Sequence, residues 1–166
     1  AREGNKEFIV LDGKEGKKYD WVDKLSLTFS SNSQHFAYVV YEGNKYFMVL
    51  DGKEGEKYYN IYSLTFSPDS QHFAYIARKD NKEFVVLDGK EGKEHDNIYP
   101  FTFSPNSQHF AYEAEEGNKS FMVLDGEEGK KYDQIWKPTF TSDSQHLIYF
   151  ARKGNEIWRI VERVGG

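Results

Sequence analysis

Short runs of alternating apolar and polar residues fill this chain, with turn residues between them about every 8 to 12 positions. In a representative stretch, one run ends at Pro68-Asp69-Ser70 and a second follows from His72 to Ala77. A third run, Glu83 to Leu87, is rich in β-branched residues and leads into the turn Asp88-Gly89. No segment has the 3.6-residue period of a helix. The pattern therefore predicts short antiparallel strands.

The same pattern occurs four times along the chain. Ser-Gln-His recurs at 33 to 35, 70 to 72, 107 to 109 and 144 to 146, each 37 residues after the last. Four antiparallel strands in roughly 40 residues are typical of a propeller blade, which buries its faces only against neighbouring blades. We label the strands of each blade a, b, c and d. The sequence predicts an all-β β-propeller, a single domain over residues 1–166 with about four blades.

The two terminal copies are incomplete. The chain opens with strands c and d and finishes with a, b and c, so the last blade lacks strand d. We expect the N-terminal d strand to complete that blade, within the chain or in a second copy, because an unpaired strand edge promotes aggregation. The favoured arrangement is a homodimer closing one eight-bladed ring; a single four-bladed ring and a slice of a larger propeller are the alternatives. Since Arg2-Glu3-Gly4-Asn5 matches the middle of a repeat, we expect the chain to begin inside a longer protein.

Charge at the end of strand b supports an even-numbered ring. The four copies read Tyr41-Glu42, Arg78-Lys79, Glu115-Glu116 and Arg152-Lys153. Acidic and basic blades therefore alternate, and a ring keeps this complementarity only with an even number of blades. The alternative interpretation is drift of solvated charges, because exposed ion pairs contribute at most about 1 kcal/mol each.

Two copies carry a family resemblance. Phe66-Ser67-Pro68-Asp69-Ser70 precedes His72-Phe73-Ala74-Tyr75, and Phe103-Ser104-Pro105-Asn106-Ser107 precedes His109-Phe110-Ala111-Tyr112. These segments resemble the WD40-like repeat of TolB-type and peptidase-associated β-propellers, whose pattern is Phe-Ser-Pro-Asp-Gly before an apolar strand. In this chain Ser replaces the turn Gly in every copy. The resemblance implies a fold and the binding of proteins, peptides or glycans, but no chemistry, because the motif residues build turns.

Composition narrows the classes of partner. The chain is 38% hydrophobic and 17% aromatic, which is enough for a buried core. Its net charge of −5 argues against nucleic acid and an anionic membrane as partners, because both carry negative charge. No apolar run approaches the length of a membrane span. The absence of cysteine excludes disulfides and thiolate metal sites.

No motif predicts catalysis, a metal or a cofactor. Gly-x-Ser-x-Gly, His-Glu-x-x-His and phosphate-binding loops are absent, and every Ser, His or Asp that repeats does so with the blade. The repeated histidines, one per blade, are predicted to lie too far apart to share one ion. His95 is interpreted as a surface or packing residue. We therefore expect no enzyme activity. The four repeated histidines are His35, His72, His109 and His146.

Binding residues are sought where the copies disagree. Just before the predicted strand a, the copies place Leu25, Tyr62, Tyr99 and Trp136. The d-to-a link and the b-to-c turn of a blade emerge on the same face, so these side chains are predicted to share it with the charged pairs. Aromatic rings among mixed charges suit contacts with peptides, proteins or sugars; the alternative is that the rings fill gaps between blades. The predicted partner-binding residues are Tyr62, Tyr99, Trp136, Arg78, Glu115 and Arg152.

The expected function is a non-catalytic scaffold that binds a protein or peptide on the face of the d-to-a and b-to-c loops. One alternative is a lectin-like propeller with one glycan or small-ligand site per blade. Another is a fragment of a larger peptidase-associated propeller, and a third is an engineered or excised repeat.

Overall fold

The structure, a computed structural model, describes residues 1–165 and confirms an all-β chain of antiparallel blades. The N-terminal segment contains β1 (Arg2–Glu3), β2 (Lys6–Glu7), β3 (Val10–Leu11) and β4 (Lys14–Glu15). Blade 1 contains β5 (Trp21–Phe29), β6 (Phe36–Glu42), β7 (Lys45–Leu50) and β8 (Lys53–Glu54). Blade 2 contains β9 (Asn60–Phe66), β10 (Phe73–Lys79), β11 (Lys82–Leu87) and β12 (Lys90–Glu91).

Blade 3 contains β13 (Asn97–Ile98), β14 (Thr102–Phe103), β15 (Phe110–Glu116), β16 (Lys119–Leu124) and β17 (Glu127–Glu128). Blade 4 contains β18 (Gln134–Phe140), β19 (His146–Lys153) and β20 (Glu156–Arg163). In blade 2 the strand order is β12-β11-β10-β9, so strand a lies at one edge. Strands a of neighbouring blades contact each other, as β5 does β9, which places this edge on the inside of the arc.

Strand a begins earlier than the sequence pattern predicts. It runs from Asn60 in blade 2, not from Leu64, and a bulge interrupts its pairing with strand b. Strand d is correspondingly shorter than predicted: beyond β12 it adds a single bridge between Glu83 and His95. Asn97 and Ile98 belong instead to strand a of blade 3, because they pair with Glu115 and Ala114.

The core lies between blades rather than within them. Along β10, Ala74 and Ile76 pack against blade 3 while Tyr75 and Ala77 pack against blade 1. Successive residues of a strand point to opposite faces, so each blade supplies half of two separate apolar clusters. Each blade thus needs a neighbour on both sides.

The serine that replaces the family's turn glycine has a structural role. Ser70 and Ser107 adopt left-handed φ values of 65° and 61°, a region that favours glycine. The backbone N–H of Asp69 donates to Ser107 Oγ at 3.0 Å, across the junction of blades 2 and 3. Asn32 donates in the same way to Ser70, at 3.1 Å. Serine therefore adds a hydrogen bond between blades that glycine could not form.

The N-terminal strands do not complete the last blade within the chain. In residues 1–165, β20 pairs with β19 alone, and Tyr19 of the N-terminal d segment bridges to Glu7 of its own segment. The arc is therefore open along the edge of β20. The described residues include no helix that could cross a bilayer.

Candidate functional site

The blades present two ends to solvent. The bc face carries the b-to-c turns at 43–44, 80–81, 117–118 and 154–155, with the start of each strand a. The ab face carries the a-to-b turns near Ser33, Ser70, Ser107 and Ser144, with the Asp-Gly turns. Arg78, Glu115 and Arg152 lie at the end of strand b on the bc face. The three predicted aromatic residues lie deeper, opposite the middle of strand b.

Tyr62 and Trp136 lie within strand a, where the sequence pattern placed them in the link before it. Tyr62 is opposite Ile76, and Trp136 is opposite Phe150, at corresponding positions of their blades. A bulge follows each ring, with a left-handed residue at Ser63 or Lys137. The bulge turns the strand at the inner edge of the blade.

The three aromatic rings differ in exposure. Tyr99 is 41% exposed, whereas Tyr62 and Trp136 are half-buried. Tyr62 packs against the cluster between blades 2 and 3, and its burial, reinforced by a hydrogen bond to Glu83, raises its pKa above the usual range. Tyr62 therefore fills a gap between blades as well as lining the bc face, while Tyr99 is free to contact a partner.

The most exposed large apolar side chain near this face is that of Leu25. It is 98% exposed, in the two-residue insertion of the first copy. The insertion is ordered by hydrogen bonds: Leu25 N donates to Asp23 Oδ1 at 3.0 Å, and Ser26 Oγ donates to the Asp23 carbonyl at 2.8 Å. Leu25, Ser26 and Tyr62 help to line a cleft of about 260 Å³ between blades 1 and 2.

The three predicted charged residues of the bc face form few contacts. Arg78 and Arg152 are exposed, and Glu115 accepts a hydrogen bond from Asn97 Nδ2 at 3.1 Å. In residues 1–165 no ion pair joins these three residues to a neighbouring blade. Lys79 pairs with Glu91 of its own blade. Of the alternating pairs, Glu42 of blade 1 contacts Lys6 of the N-terminal segment at 3.2 Å, whereas Arg78, Glu115 and Arg152 stay free to meet a partner.

A buried acid beneath this face escaped the sequence analysis. Glu113 lies in the middle of β15, where other copies have an apolar residue, and its side chain is 6% exposed. Burial raises its pKa to about 7. Hydrogen bonds to Ser120 and to the backbone of Ile135 lower the pKa, but by less than burial raises it. The only sequence signal was a charged residue inside an apolar run.

The ab face carries a groove at two blade junctions. Between blades 2 and 3 the groove has a volume of about 570 Å³, lined by Phe103, Phe110 and Tyr112 among others. Between the N-terminal segment and blade 1 an equivalent groove of about 490 Å³ is lined by Phe36 and Tyr38, the counterparts of Phe110 and Tyr112. The sequence pattern assigned these residues to strand b and predicted neither groove.

Each groove is bordered by polar side chains of the turns. His72 Nδ1 lies 2.7 Å from Asp88 Oδ2, and Asp88 Oδ1 accepts from the Phe73 N–H at 3.0 Å. His35–Asp51 and His109–Asp125 repeat this pair. The serine hydroxyl nearby, Ser67 Oγ, donates to Asp69 Oδ1 at 2.6 Å and accepts from the backbone N–H of His72 at 3.0 Å, and in residues 1–165 it bonds to no imidazole ring. The histidine–aspartate pairs therefore tie strand b to the Asp-Gly turn of the same blade.

His95 has a different environment from the other histidines. It is fully buried, and neither ring nitrogen has a hydrogen-bond partner in residues 1–165. Burial lowers its pKa, an effect that the nearby carboxylates of Glu128 and Glu116 oppose. Of the two roles predicted for His95, a surface or a packing residue, the structure confirms packing, because the ring lies inside the junction of blades 2 and 3.

Solved structures with the same fold are β-propellers. TolB from Acinetobacter baumannii matches with a TM-score of 0.54 and 12% identity, over 83% of this chain and 40% of that one. A putative TolB from Agrobacterium tumefaciens matches with a TM-score of 0.52 and 13% identity, over 92% of this chain and 65% of that one. An acylaminoacyl peptidase from Pyrococcus horikoshii matches with a TM-score of 0.50 and 14% identity, over 87% and 33%.

These matches confirm the TolB-type β-propeller fold that the repeat motif indicated. This chain spans 40% and 65% of the two TolB structures, less than two thirds of either. No protein-family model and no curated protein matches the sequence.

Proposed function

We propose that this chain is a non-catalytic β-propeller scaffold that binds a protein or peptide on its bc face. The observation that carries the proposal is the exposure of Leu25, at 98%, and of Tyr99, at 41%, both on strand a, which begins at the bc face and runs along the inner edge of an otherwise well-packed arc. Exposed aromatic and large aliphatic side chains are the usual anchors of protein interfaces. The adjoining cleft beside Tyr62 would receive one small side chain of the partner.

Mixed charge around the anchors favours a partner segment that carries both signs. Arg78 and Arg152 offer exposed guanidinium groups, while Glu115 supplies an acidic neighbour for Tyr99. Such charges act mainly on specificity and association rate rather than on affinity. The non-catalytic part of the proposal rests on the turn-building role of the repeated serine, histidine and aspartate side chains.

A random-peptide phage library panned on the immobilised chain tests the proposal. Enriched peptides are expected to lose affinity at least tenfold for the double variant Leu25→Ser/Tyr99→Ala. Their affinity for Val10→Ala should stay unchanged, because Val10 is 47% exposed but lies beside the Asp12-Gly13 turn of the ab face. Peptides that bind all three proteins equally, or a library without any enriched sequence, would contradict the proposal.

A second function is favoured by the two ab-face grooves. Their aromatic floors and bordering carboxylates suit a sugar or similar small ligand, with one site per blade junction. A glycan array probed with the labelled chain is expected to give hits that weaken in Phe103→Ala, which opens the larger groove. An array with no hit would remove this candidate without affecting the first.

We also propose that a second copy of this chain covers the open ends of the arc. Within the chain, Leu64 and Phe66 of blade 2 pack against the face of blade 1 that contains Val39 and Leu50. Their counterparts in blade 1, at the N-terminal end of the arc, are Leu27 and Phe29, which are 40% and 54% exposed. The counterparts of Val39 and Leu50 at the other end, Phe150 and Val161, are 38% and 47% exposed.

The two ends are therefore the two halves of one repeated interface. Docking one copy's Phe150 against the other copy's Leu27 and Phe29 would continue the packing seen between blades 1 and 2. The same contact would cover the unpaired edge of β20, which is otherwise an aggregation hazard.

A further inference from the structure

The junction of blades 2 and 3 contains a substitution that leaves a buried polar group unpaired. At the corresponding place in the preceding junctions, Tyr19 and Tyr58 donate hydrogen bonds to Glu54 at 3.1 Å and to Glu91 at 3.0 Å. Each acceptor lies in the c-to-d hairpin of the next blade. His95 occupies the tyrosine position, as its bridge to Glu83 shows, but it makes no such bond. Leaving a buried polar group unpaired destabilises the fold, so a partner is expected.

Two carboxylates face His95. Glu128, on β17, is the counterpart of Glu54 and Glu91, and Glu116 ends β15. One ligand atom from each of His95, Glu116 and Glu128 lies within 4.8 Å of the others, and His95 Nδ1 is 3.9 Å from Glu116 Oε1. These distances are too long for hydrogen bonds. They leave room for an atom between the three groups.

Aromatic rings and lysines surround this cluster. The rings of Phe121 and Tyr112 pack edge-on against His95, with centroids 5.4 and 6.1 Å away, and fix the imidazole. Lys131 contacts the other oxygen of Glu116, Oε2, at 2.7 Å, and Lys93 contacts Glu128. The lysines hold the carboxylates beside the histidine, and they would have to yield part of this contact to any cation.

We propose that His95, Glu116 and Glu128 bind one divalent transition-metal ion, with Zn²⁺ the best fit, between blades 2 and 3. Zinc binds imidazole nitrogen and carboxylate oxygen at about 2.0–2.2 Å, and water can complete its four ligands. An imidazole ligand favours Zn²⁺ over Ca²⁺ or Mg²⁺, which prefer all-oxygen sites. Both glutamates are partly exposed, so small side-chain rotations can bring their oxygens to bonding distance.

The site is particular to one junction. The counterparts of His95 are tyrosines at 19, 58 and 132, and the counterpart of Glu116 in blade 2 is Lys79. The metal would replace the tyrosine–glutamate hydrogen bond as the link between neighbouring blades, and its ligands come from both blades. It would therefore act as a structural clip.

Titration of the EDTA-treated, dialysed chain with Zn²⁺ tests the proposal. Calorimetry measures binding, and thermal unfolding measures stability. We expect one equivalent of Zn²⁺ to bind and to raise the melting temperature. In His95→Tyr, which restores the residue of the other copies, Zn²⁺ affinity should fall at least tenfold while the fold is kept. His72→Gln is the matched control: it removes a histidine that also contacts a carboxylate, and zinc binding should be unchanged.

Cobalt substitution gives an independent readout. Co²⁺ bound by His95, Glu116 and Glu128 should show visible d–d absorption typical of low coordination number, and Glu128→Gln should abolish it. This measurement keeps the proposal testable if His95→Tyr does not fold. Equal zinc affinity in the wild type and in His95→Tyr, or no stoichiometric binding by the wild type, would overturn it.

Discussion

Single side chains decide how tightly one blade is fixed to the next. Ser107 accepts a hydrogen bond from blade 2, whereas Glu113 presents a carboxyl group to the apolar junction with blade 4. The first residue stabilises the junction at any pH, because a hydroxyl does not titrate. The second makes stability depend on pH.

Glu113→Gln is expected to flatten the dependence of stability on pH. Because the folded-state pKa, about 7, lies above the usual value of 4.5 for glutamate, the folded state favours the protonated acid. The protonated acid therefore adds to the free energy of unfolding below about pH 4.5, by about 3 kcal/mol at most. This stabilisation is lost as the pH rises through 7. Urea unfolding at pH 5 and pH 8 should show a smaller loss in Glu113→Gln than in the wild type. Exposed Glu94→Gln should behave as the wild type, and an unchanged slope in Glu113→Gln would contradict the assignment.

Turns join the strands into blades, and the Asp-Gly turn does so through its aspartate. Asp88 adopts a φ of 50°, accepts the Phe73 N–H and contacts His72. Asp12, at the same place in the N-terminal segment, adopts a φ of 49° but makes no side-chain hydrogen bond in residues 1–165. The two turns share a backbone conformation and differ in their bonds.

This difference provides a matched pair of variants. Asp88→Ala is expected to lower the free energy of unfolding by about 2 kcal/mol more than Asp12→Ala, because it removes two charge-assisted hydrogen bonds. Both variants place alanine at positive φ, so the strain cancels in the comparison. Chemical denaturation of the two proteins measures the difference; equal losses would mean that the histidine–aspartate pair contributes nothing.

At the scale of the whole molecule, the open arc exposes the halves of its own repeated interface. Light scattering is expected to give twice the mass of one chain. Phe29→Glu should give a single chain, because it places a charge on the apolar surface that the second copy covers. Tyr59→Glu, the same change at an exposed ring away from the ends, should keep the doubled mass. A wild-type mass of one chain would remove the second copy from the proposal.

Much of this architecture was readable from the repeat. The period, the Asp-Gly turns and the alternation of strands b and c predicted antiparallel blades, and the structure has them at β10, β11 and their counterparts. The start of strand a was predicted too late, because Tyr62 and Trp136 precede a bulge that breaks the alternation. The grooves and the approach of His95 to Glu116 and Glu128 were missed because they lie between blades, where no local pattern reaches.

The sequence by itself determined the blade: strand order, turn positions and which residues alternate between its two faces, since all of these follow from contacts close along the chain. Tertiary structure decided what those faces meet. Only the stacking of blades shows that His95 lies against Glu116 and Glu128, whereas Tyr58 bonds to Glu91. It also shows that Ser107 accepts a hydrogen bond from the preceding blade. Leu27 and Phe29 lack the neighbouring blade that covers Leu64 and Phe66. These contacts join residues about one repeat apart, so they depend on the angle between blades rather than on the local pattern.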